Sequence, residues 1–404
     1  MTKVYITGMG ALTSLGSTVQ SSFQGLKEGR GGVQRIPEWA QYNGLHTQLG
    51  APVGDYDVSL LPRNVRRAMS RMSEMGAIAA IEALKQAGVE NLNSLRSMLI
   101  LGSTSGSPIT LETYFRKLFE KHGPEGQVST SFFKVMNHSV AANVAAALNY
   151  QGPLLAPSSA CSTSSQSMIL GYELIRSGQY DLVVAGGADE LHYMSASIFD
   201  IVMAASRGYN DRPDQASRPF DRDRDGLVVS EGAAVVVMES EAHMEKRGGQ
   251  PLAEFAGGAY LCDSSHMSQS STQTMIKTMN EALSRAQLTR EQVGYVNAHA
   301  TATIHGDEAE VMAIAEVFGP ETPVSSLKGH FGHSLAACGA LEAIMSIEMM
   351  REGVLIPTRN LEHVSPDCEG VQHLQKSMNR EVTSILSSNF AFGGMNTSLL
   401  LSKI

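Results

Sequence analysis

Short apolar runs and longer helical stretches alternate through the first part of the chain. The apolar runs predict buried strands at residues 4–8, 98–102, 152–156, 182–187 and 233–239. Helical spacing predicts one helix over residues 68–86, which Gly88 is placed to end, and another over residues 164–177. An alternation of this kind favours a layered α/β fold.

The same plan begins again near residue 250. Strands are predicted at residues 252–261, 294–297, 383–389 and 397–401, and helices at residues 272–286 and 335–351. The polar, glycine-containing segment 245–250 separates the two series. We therefore expect two fused halves of similar plan, residues 1–250 and 251–404, although their sequences show no obvious repeat.

Composition narrows the class of protein. The chain has 404 residues and a formal net charge of −9, which disfavours nucleic-acid binding because phosphate contacts need a basic surface. No apolar run approaches the ~20 residues that span a membrane, and the first residues are typical of a strand entering a glycine turn, not of a signal peptide. Four cysteines without a Cys-x-x-Cys pair predict neither a disulfide framework nor a structural zinc site, and they indicate a cytoplasmic protein.

The segment 158–165, Ser-Ser-Ala-Cys-Ser-Thr-Ser-Ser, contains the first candidate for chemistry. Cys161 follows a predicted strand and precedes a predicted helix. The unpaired N–H groups and the dipole of a helix N-terminus favour a thiolate, the nucleophilic form of cysteine. A small buried cysteine packed behind a turn is an equally good interpretation of this segment alone.

Two histidines and a lysine stand in loops of the second half. His299 follows a predicted strand, where a loop histidine bonded to a backbone carbonyl is the simpler interpretation. His333 has glycine neighbours that allow close approach of a ligand. Lys328 is either a solvated surface charge or a buried partner of Glu342. A metal shared by His330 and His333 would need one regular helical turn, which the intervening Gly-Phe-Gly disfavours.

A predicted strand ends in the turn Phe390-Ala-Phe392-Gly-Gly394. Backbone N–H groups of such a turn can form an oxyanion hole, which stabilises negative charge on a reacting oxygen. An ordinary hairpin with core phenylalanines is the alternative, and it accounts well for Phe390.

Together, in this order and spacing, these segments resemble the β-ketoacyl-(acyl carrier protein) synthases of the thiolase superfamily. The likeness covers essentially the whole chain and includes Gly-Gly-Ala-Asp-Glu at 186–190, Arg-Pro-Phe-Asp at 218–221 and Arg-Asp-Gly at 224–226. It implies a thiolase-like α/β fold of five layers, αβαβα, built from two fused similar halves and usually assembled as a dimer. It implies no cofactor and no metal, since the substrates are carried on the phosphopantetheine of an acyl carrier protein.

The resemblance also implies roles for the candidate residues. Cys161 would take the acyl group from the carrier protein, and the backbone N–H groups of Cys161 and Phe392 would form the oxyanion hole. His299 and His333 would hydrogen-bond the thioester oxygen of malonyl carrier protein, so that loss of CO₂ leaves a stabilised enolate. Two neutral imidazoles can both donate from Nε2 if each Nδ1 accepts a hydrogen bond elsewhere.

Further residues are assigned around this centre by the same resemblance. Lys328, paired with Glu342, would organise the charge of the site. Thr301 and Thr303 would contact the phosphopantetheine arm, and Phe392 would gate the acyl pocket.

A basic cluster is placed to bind the carrier protein. Arg63, Arg66, Arg67 and Arg71 fall within nine residues. Acyl carrier proteins are acidic, so we expect Arg63, Arg66 and Arg67 to steer this partner to the tunnel mouth. A solvated helix face is the alternative.

Departures from the usual motifs surround the predicted site. They occur at Ala300, Ala302, Ile304, His305, His330, Cys338 and Met395. The order Ser388-Asn389 is also shifted, which makes a structural cation seen in some relatives doubtful. These departures favour a specialised acyl pocket, for a polyketide or polyene chain rather than a housekeeping fatty acid.

Three other assignments are disfavoured: two are enzymes of the same superfamily, and one is a non-catalytic subunit. A thiolase needs a second active-site cysteine for proton transfer, where this chain has histidines. An initiation-type synthase has His and Asn in place of His299 and His333. A chain-length-factor-like subunit lacks the nucleophile, so Cys161 disfavours it. A catalytic subunit that pairs with such a homologue stays open beside the homodimer.

Overall fold

The computed structural model describes residues 2–264 and 271–404 of the chain. Its strands are β1 (Val4–Leu12), β2 (Gln34–Arg35), β3 (Leu49–Gly50), β4 (Ser97–Gly102), β5 (Leu154–Leu155), β6 (Leu182–Asp189), β7 (Gly232–Ser240), β8 (Ala253–Cys262), β9 (Tyr295–Asn297), β10 (Pro323–Ser325), β11 (Val354–Leu355), β12 (Gln372–His373), β13 (Met378–Asn379), β14 (Ser384–Ala391) and β15 (Met395–Ser402). Its helices are α1 (Val19–Lys27), α2 (Arg63–Arg66), α3 (Arg71–Ala87), α4 (Pro108–Glu120), α5 (Ser131–Val135), α6 (Ser139–Ala147), α7 (Thr163–Arg176), α8 (Tyr193–Ile201), α9 (Glu241–Lys246), α10 (Thr272–Ala286), α11 (Ile304–Phe318), α12 (Lys328–Phe331) and α13 (Cys338–Glu352).

Within the described residues, eleven strands form one mixed sheet that contains the same arrangement twice. The first half has the order β5-β4-β6-β7-β1, and the second half has the order β10-β9-β14-β15-β8, extended at its edge by β12. In each order the first two pairings are parallel and the last two are antiparallel. Strands β1 and β8 join the halves. The expected division at residue 250 falls between α9 and β8, and it stays a prediction.

The helices and the two strand series form five layers. Helices α3 and α6 pack outside the first series, α10 and α11 pack outside the second, and α7 and α13 lie in contact between the two. Successive side chains of a strand enter different cores: in β6, Val183 lies in the central core and Val184 in the outer core. The αβαβα fold that the resemblance implied is confirmed.

Helices α3, α10 and α13 show how far the pattern predicts helix ends. Helix α10 has the predicted bounds, and Gly88 ends α3 in the left-handed conformation with a φ of +68°. Helix α3 begins at Arg71, later than predicted, because the backbone at Ser70 is still extended. Helix α13 begins at Cys338, after a 3₁₀ turn in which Leu335 has a φ of +49°.

Strand β5, at one edge of the sheet, is shorter than predicted. Only Leu154 and Leu155 pair with β4. Pro153 and Pro157 flank them, and a proline has no N–H to donate to a neighbouring strand. No strand of the described part covers the other side of β5.

Two predictions from composition concern disulfide bonds and membrane-spanning helices. All four cysteines lie in the described ranges and are free thiols. No described helix is both long enough and apolar enough to cross a bilayer.

Strand β1 lies directly against α3 at its glycines. A Cβ built on Gly10 would lie 1.9 Å from the carbonyl oxygen of Ala79, which is far inside contact distance. The sheet and the helix can therefore approach this closely only because residue 10 has no side chain.

We predict that Gly10→Ala destabilises the fold by about 1–3 kcal/mol, because β1 and α3 must separate to admit the methyl group. Thermal unfolding should show a lowered Tm. Gly54→Ala is the matched control, since a Cβ there meets nothing within 4 Å. Equal Tm values for the two variants would contradict the close packing of β1 on α3.

Candidate active site

The candidate nucleophile lies in a tight turn between β5 and α7. Cys161 is the middle residue of a 3₁₀ turn, directly before α7 begins at Thr163. Ala160 has a φ of +48°, which is uncommon for a residue with a Cβ. The hydroxyl of Thr163 donates to the carbonyl oxygen of Ala160 at 2.7 Å and fixes the turn. The sulfur thus lies at the N-terminal end of a helix, as the strand–helix pattern predicted.

Burial changes the expected ionisation of this sulfur. Cys161 is only 5% exposed, and burial raises the pKa of its thiol to about 12, although the positive charge of Lys328 acts in the opposite direction. The helix N-terminus favours the thiolate, but the loss of hydration is the larger effect. Burial therefore favours the thiol form of the resting sulfur and acts against the effect of the helix N-terminus.

His333 directs one defined ring nitrogen at the sulfur. Its Nε2 lies 2.9 Å from the Sγ of Cys161, and its Nδ1 accepts a hydrogen bond from the backbone N–H of Leu335 at 3.3 Å. Because Nδ1 is an acceptor, the neutral ring carries its proton on Nε2. His333 is thus a hydrogen-bond donor towards the site and has no free lone pair there to take the thiol proton.

His299 completes a compact cluster around the same sulfur. Cys161, His299 and His333 each offer one sulfur or ring nitrogen atom, and these atoms lie within 4.8 Å of one another. The two imidazole rings meet edge to face, with centroids 5.3 Å apart. On its other side, the Nδ1 of His299 lies 3.4 Å from the side-chain amide nitrogen of Asn389.

Both imidazoles of the cluster are neutral. Burial lowers the pKa of His299 and of His333 well below the ordinary value, and the charge of Lys328 lowers both further. Lys328 is buried and forms an ion pair with buried Glu342. Burial opposes the charge of Lys328, but the carboxylate of Glu342, together with smaller contributions from other buried groups, raises the pKa of Lys328. Of the two interpretations of Lys328, the buried, paired one is correct.

Two buried acids of α11 hold the loop that carries His299. Glu310 accepts the backbone N–H of His299 at 2.7 Å and that of the next residue at 2.6 Å. Asp307 accepts the backbone N–H of Thr301 at 3.0 Å and that of the next residue at 3.1 Å. Burial raises the pKa of Glu310 to about 8 and that of Asp307 to about 6. Neither acid is among the residues predicted to act in the site, although their spacing on one helix face just after this loop is a usable signal.

The acidic end of β6 holds the loops on the other side of the nucleophile. Asp189 accepts the hydroxyl of Ser103 at 2.6 Å and the backbone N–H of Ala336 at 2.8 Å. It thereby ties the loop after β4 to the turn before α13. Glu190 binds the start of α4 in the same way. These acids belong to the segment 186–190, which contributed to the resemblance without an assigned role.

Two adjacent cavities lie between the surface and the cluster. An inner cavity of about 60 Å³ is lined by Cys161, both histidines and Thr301, and an outer cavity of about 600 Å³ opens beside it. Thr303 and Phe392 line both cavities. The hydroxyls of Thr301 and Thr303 lie 3.1 Å apart, and the Phe392 ring lies 5.4 Å from that of Phe199. Phe392 thus stands at the constriction between the cavities.

Phe390 and His330 contribute to packing near the centre. Phe390 belongs to the outer core of the second half, as the hairpin interpretation held, and also borders the inner cavity. His330 is buried with its ring nitrogens 3.0 Å and 3.1 Å from the carbonyl oxygens of Arg30 and Pro357. It does not face a common ligand position with His333. Among the residues at 2–264 and 271–404, the cluster described above is the one group whose atoms could together hold a metal ion.

The arginine cluster divides into a surface part and a structural part. Arg63 and Arg67 are exposed, and Arg66 is half-buried at 3.9 Å from an acid of α3. Arg71 instead pairs with buried Glu231 at 2.6 Å, so it holds the fold together. The residues expected to bind a carrier protein are therefore present at the surface, without Arg71.

The fold and this centre together are those of a thiolase-like condensing enzyme. The chain belongs to the β-ketoacyl synthase family: the description "Beta-ketoacyl synthase, N-terminal domain" matches residues 1–243, and "Beta-ketoacyl synthase, C-terminal domain" matches residues 252–362. The predicted class of enzyme, an acyltransferase that forms a C–C bond, is thereby confirmed.

Similar proteins cover the whole chain. It is 33% identical over 411 residues to the 3-oxoacyl-[acyl-carrier-protein] synthase 1 of Escherichia coli (strain K12), with 100% of both chains covered. The crystal structure of a Beta-ketoacyl synthase from Burkholderia phymatum STM815 matches with a TM-score of 0.96 and 40% identity, again over 100% of both chains. The ishigamide ketosynthase/chain length factor matches with a TM-score of 0.91 and 25% identity, over 100% of this chain and 99% of the other.

The lowered pKa values of His299 and His333 predict a loss of stability in acid. Below pH ~6.5 the unfolded chain protonates both rings while the folded chain does not, so the unfolded state binds more protons. The contribution of these two histidines to the free energy of unfolding is therefore greatest above pH ~6.5. It falls by about 1 kcal/mol for each histidine per pH unit below that value. Urea unfolding at pH 7.5 and 5.5 should show this contribution as a difference between the wild type and the double variant His299→Gln/His333→Gln, because the raised pKa values of Glu310 and Asp307 act in the opposite direction in both proteins.

The control for this measurement is His305→Gln, because the side chain of His305 is 96% exposed. It should keep the wild-type pH dependence. An equal drop in the double variant and the wild type would mean that the two rings are not held neutral by the fold.

Proposed function

We propose that this enzyme uses Cys161, His299 and His333 for the decarboxylative condensation of an acyl chain with malonyl-(acyl carrier protein) in fatty acid or polyketide biosynthesis. The observation that carries the proposal is the cluster itself: the three reactive atoms lie within 4.8 Å at the inner end of the cavities. One sulfur and two neutral N–H donors suit a reaction that first forms a thioester and then an enolate.

The first step is transfer of the acyl group to Cys161. The sulfur attacks the carbonyl carbon of the acyl thioester, and the carrier's pantetheine sulfur leaves with the proton that Cys161 gives up. The backbone N–H groups of Cys161 and Phe392 stabilise the oxyanion. Phe392 is suited to this role because it borders both cavities beside the nucleophile.

The second step is loss of CO₂ from malonyl carrier protein. The electron pair of the breaking C–C bond moves into the thioester, whose oxygen becomes the enolate oxygen. His299 and His333 donate Nε2–H bonds to this oxygen, and removal of one such donor typically costs 10²–10³-fold in rate. The enolate carbon then attacks the acyl-Cys161 thioester. The β-ketoacyl carrier protein leaves, and the Cys161 thiolate takes up a proton from solvent.

The Lys328–Glu342 pair helps to keep both histidines in the neutral state that this reaction requires. Its lysine charge disfavours protonation of both histidines, so they remain donors and do not become acids. Removal of one partner would leave a buried charge unpaired, which typically costs ~3–5 kcal/mol. We assign the pair a positioning role.

The outer cavity accommodates the phosphopantetheine arm. The threonine hydroxyls at 301 and 303 lie along the passage from this cavity to Cys161. The carrier protein is the partner outside, and Arg63, Arg66 and Arg67 offer it a basic surface.

The dimer is proposed to form at the uncovered edge of β5. Apolar side chains are exposed on this strand and on α4 and α5, namely Leu155, Ile109, Phe115, Phe119, Phe132 and Phe133. Exposed apolar patches of this kind mark interfaces. The partner is a second copy or a homologue, and the solved ketosynthase/chain length factor supports the second arrangement. The free thiols support a cytoplasmic location.

Intact-protein mass spectrometry after incubation with a panel of acyl carrier proteins tests the nucleophile. The wild type should gain the mass of one acyl group, and Cys161→Ala should gain none because the thioester cannot form. Cys262→Ala, which removes an exposed thiol, is the control and should acylate normally. Acylation of the Cys161→Ala variant would show that another residue is the nucleophile.

Charge reversal tests the docking surface. Arg63→Glu/Arg66→Glu should weaken carrier-protein binding about 10-fold or more at low salt, with a smaller effect at high salt, because screening suppresses surface electrostatics. Arg290→Glu, an exposed arginine of the second half, is the control. Unchanged affinity of the double variant at low salt would assign the arginines to ordinary surface solvation.

A further inference from the structure

Asn389 is a buried amide next to the catalytic cluster, and it belongs to the Ser388-Asn389 pair whose order departs from the usual motif. Its side chain contacts four groups of the site. We propose that Asn389 is a positioning residue, which fixes the tautomer of His299 and connects that ring to the Lys328–Glu342 pair. The inference rests on the proposed function, in which His299 donates from Nε2.

The contacts of the carboxamide define its orientation. The Nδ2 of Asn389 donates to the second carboxylate oxygen of Glu342 at 2.7 Å. The Oδ1 accepts a hydrogen bond from the hydroxyl of Ser165, in the first turn of α7. A carboxylate can only accept, so the NH₂ group must face Glu342 and the oxygen must face Ser165.

The second hydrogen of the same NH₂ group is available to His299. The Nδ2 lies 3.4 Å from the Nδ1 of His299, with the sulfur of Cys338 at 3.6 Å as a weaker acceptor. An amide can only donate from this nitrogen, so the Nδ1 of His299 accepts and the ring proton resides on Nε2. Nε2 has no hydrogen-bond partner among the residues the structure describes, and His299 lines the inner cavity. Asn389 therefore prepares the donor that the enolate oxygen requires.

The two histidines obtain the same tautomer in different ways. His333 is fixed by a backbone N–H, that of Leu335, which any residue at 335 except proline would supply. The ring of His299 depends on the side chain of Asn389. One catalytic donor is thus set by the fold alone, and the other is set by a single replaceable amide.

The position of the amide along β14 explains why the motif order matters. Side chains at 387 and 389 face the site, where Ser387 accepts from Asn297. Ser388 points to the opposite face and bonds Ser398 of β15. Because side chains alternate along a strand, an asparagine at 388 could not reach His299. The shifted order places the amide on the catalytic face.

The wild-type enzyme provides the first test, independent of activity. In protein labelled with ¹⁵N-histidine, long-range ¹H–¹⁵N spectra distinguish the Nε2–H from the Nδ1–H tautomer, and the His299 signals are identified by their loss in His299→Gln. We expect the Nε2–H tautomer. A ring protonated at Nδ1 would overturn the proposal, whether or not any Asn389 variant folds.

Asn389→Ala provides the second test. It should acylate Cys161 at the wild-type rate, since the nucleophile is untouched, and decarboxylate malonyl carrier protein about 10- to 100-fold more slowly, the size of effect known for partners that orient metal-bound histidines. The Nε2–H signal of His299 should weaken in the same variant. The control is Ser388→Ala, on the opposite face of β14, which should keep the wild-type tautomer and both rates.

The outcomes separate this proposal from the proposed function. A wild type that neither acylates Cys161 nor decarboxylates malonyl carrier protein would refute the proposed function. A wild type that does both, together with an Asn389→Ala variant of unchanged His299 tautomer and unchanged decarboxylation, would refute the positioning role alone.

Discussion

Lys328 is a full positive charge in the interior of the protein, next to two imidazoles that must stay neutral. A charge can persist at such depth only if a partner compensates for its lost hydration, and Glu342 is that partner. The uncompensated part of the lysine field acts on the histidines and disfavours their protonation. Burial is the larger reason that both rings are neutral, and the ion pair reinforces it, so the two histidines act as hydrogen-bond donors. The thiol of Cys161 lies in contact with one of these neutral rings, that of His333, and the amide of Asn389 donates to the carboxylate of Glu342.

The duplicated fold explains how residues so distant in sequence converge. Cys161 follows β5, His299 follows β9, Lys328 follows β10 and Phe392 follows β14, so each lies beyond the carboxyl end of a strand in a parallel part of the sheet. Ligands of α/β proteins bind at such ends. The central helices α7 and α13 occupy equivalent places in the two halves, and their N-termini meet where the sulfur of Cys338 donates to the backbone carbonyl of Cys161. The site is therefore built at the junction of two copies of one plan.

Much of this organisation could be predicted from the chain, because it depends on local patterns. Period and capping indicated α10 and the end of α3, and the motif contexts brought Cys161, His299 and His333 together as one site. What the pattern does not show depends on distant partners. The burial that raises the pKa of the Cys161 thiol is a property of the folded chain and is not visible in the strand–helix pattern.

Two side chains show the same limit. The structural use of Arg71 follows from Glu231, which lies 160 residues away. The role of Asn389 requires knowing which face of β14 meets α13, and a strand pattern buried on both faces does not reveal that.

Separate measurement of the two half-reactions shows whether the imidazoles serve the enolate or the nucleophile. Rapid-quench kinetics would follow acylation of Cys161 and release of CO₂ from malonyl carrier protein in wild type, His299→Ala and His333→Ala. If the imidazoles act as neutral donors to the enolate oxygen, both variants acylate Cys161 near the wild-type rate and lose about 10²-fold or more in decarboxylation. Loss of acylation with retained decarboxylation in either variant would mean that the histidine serves the nucleophile, and it would contradict this account.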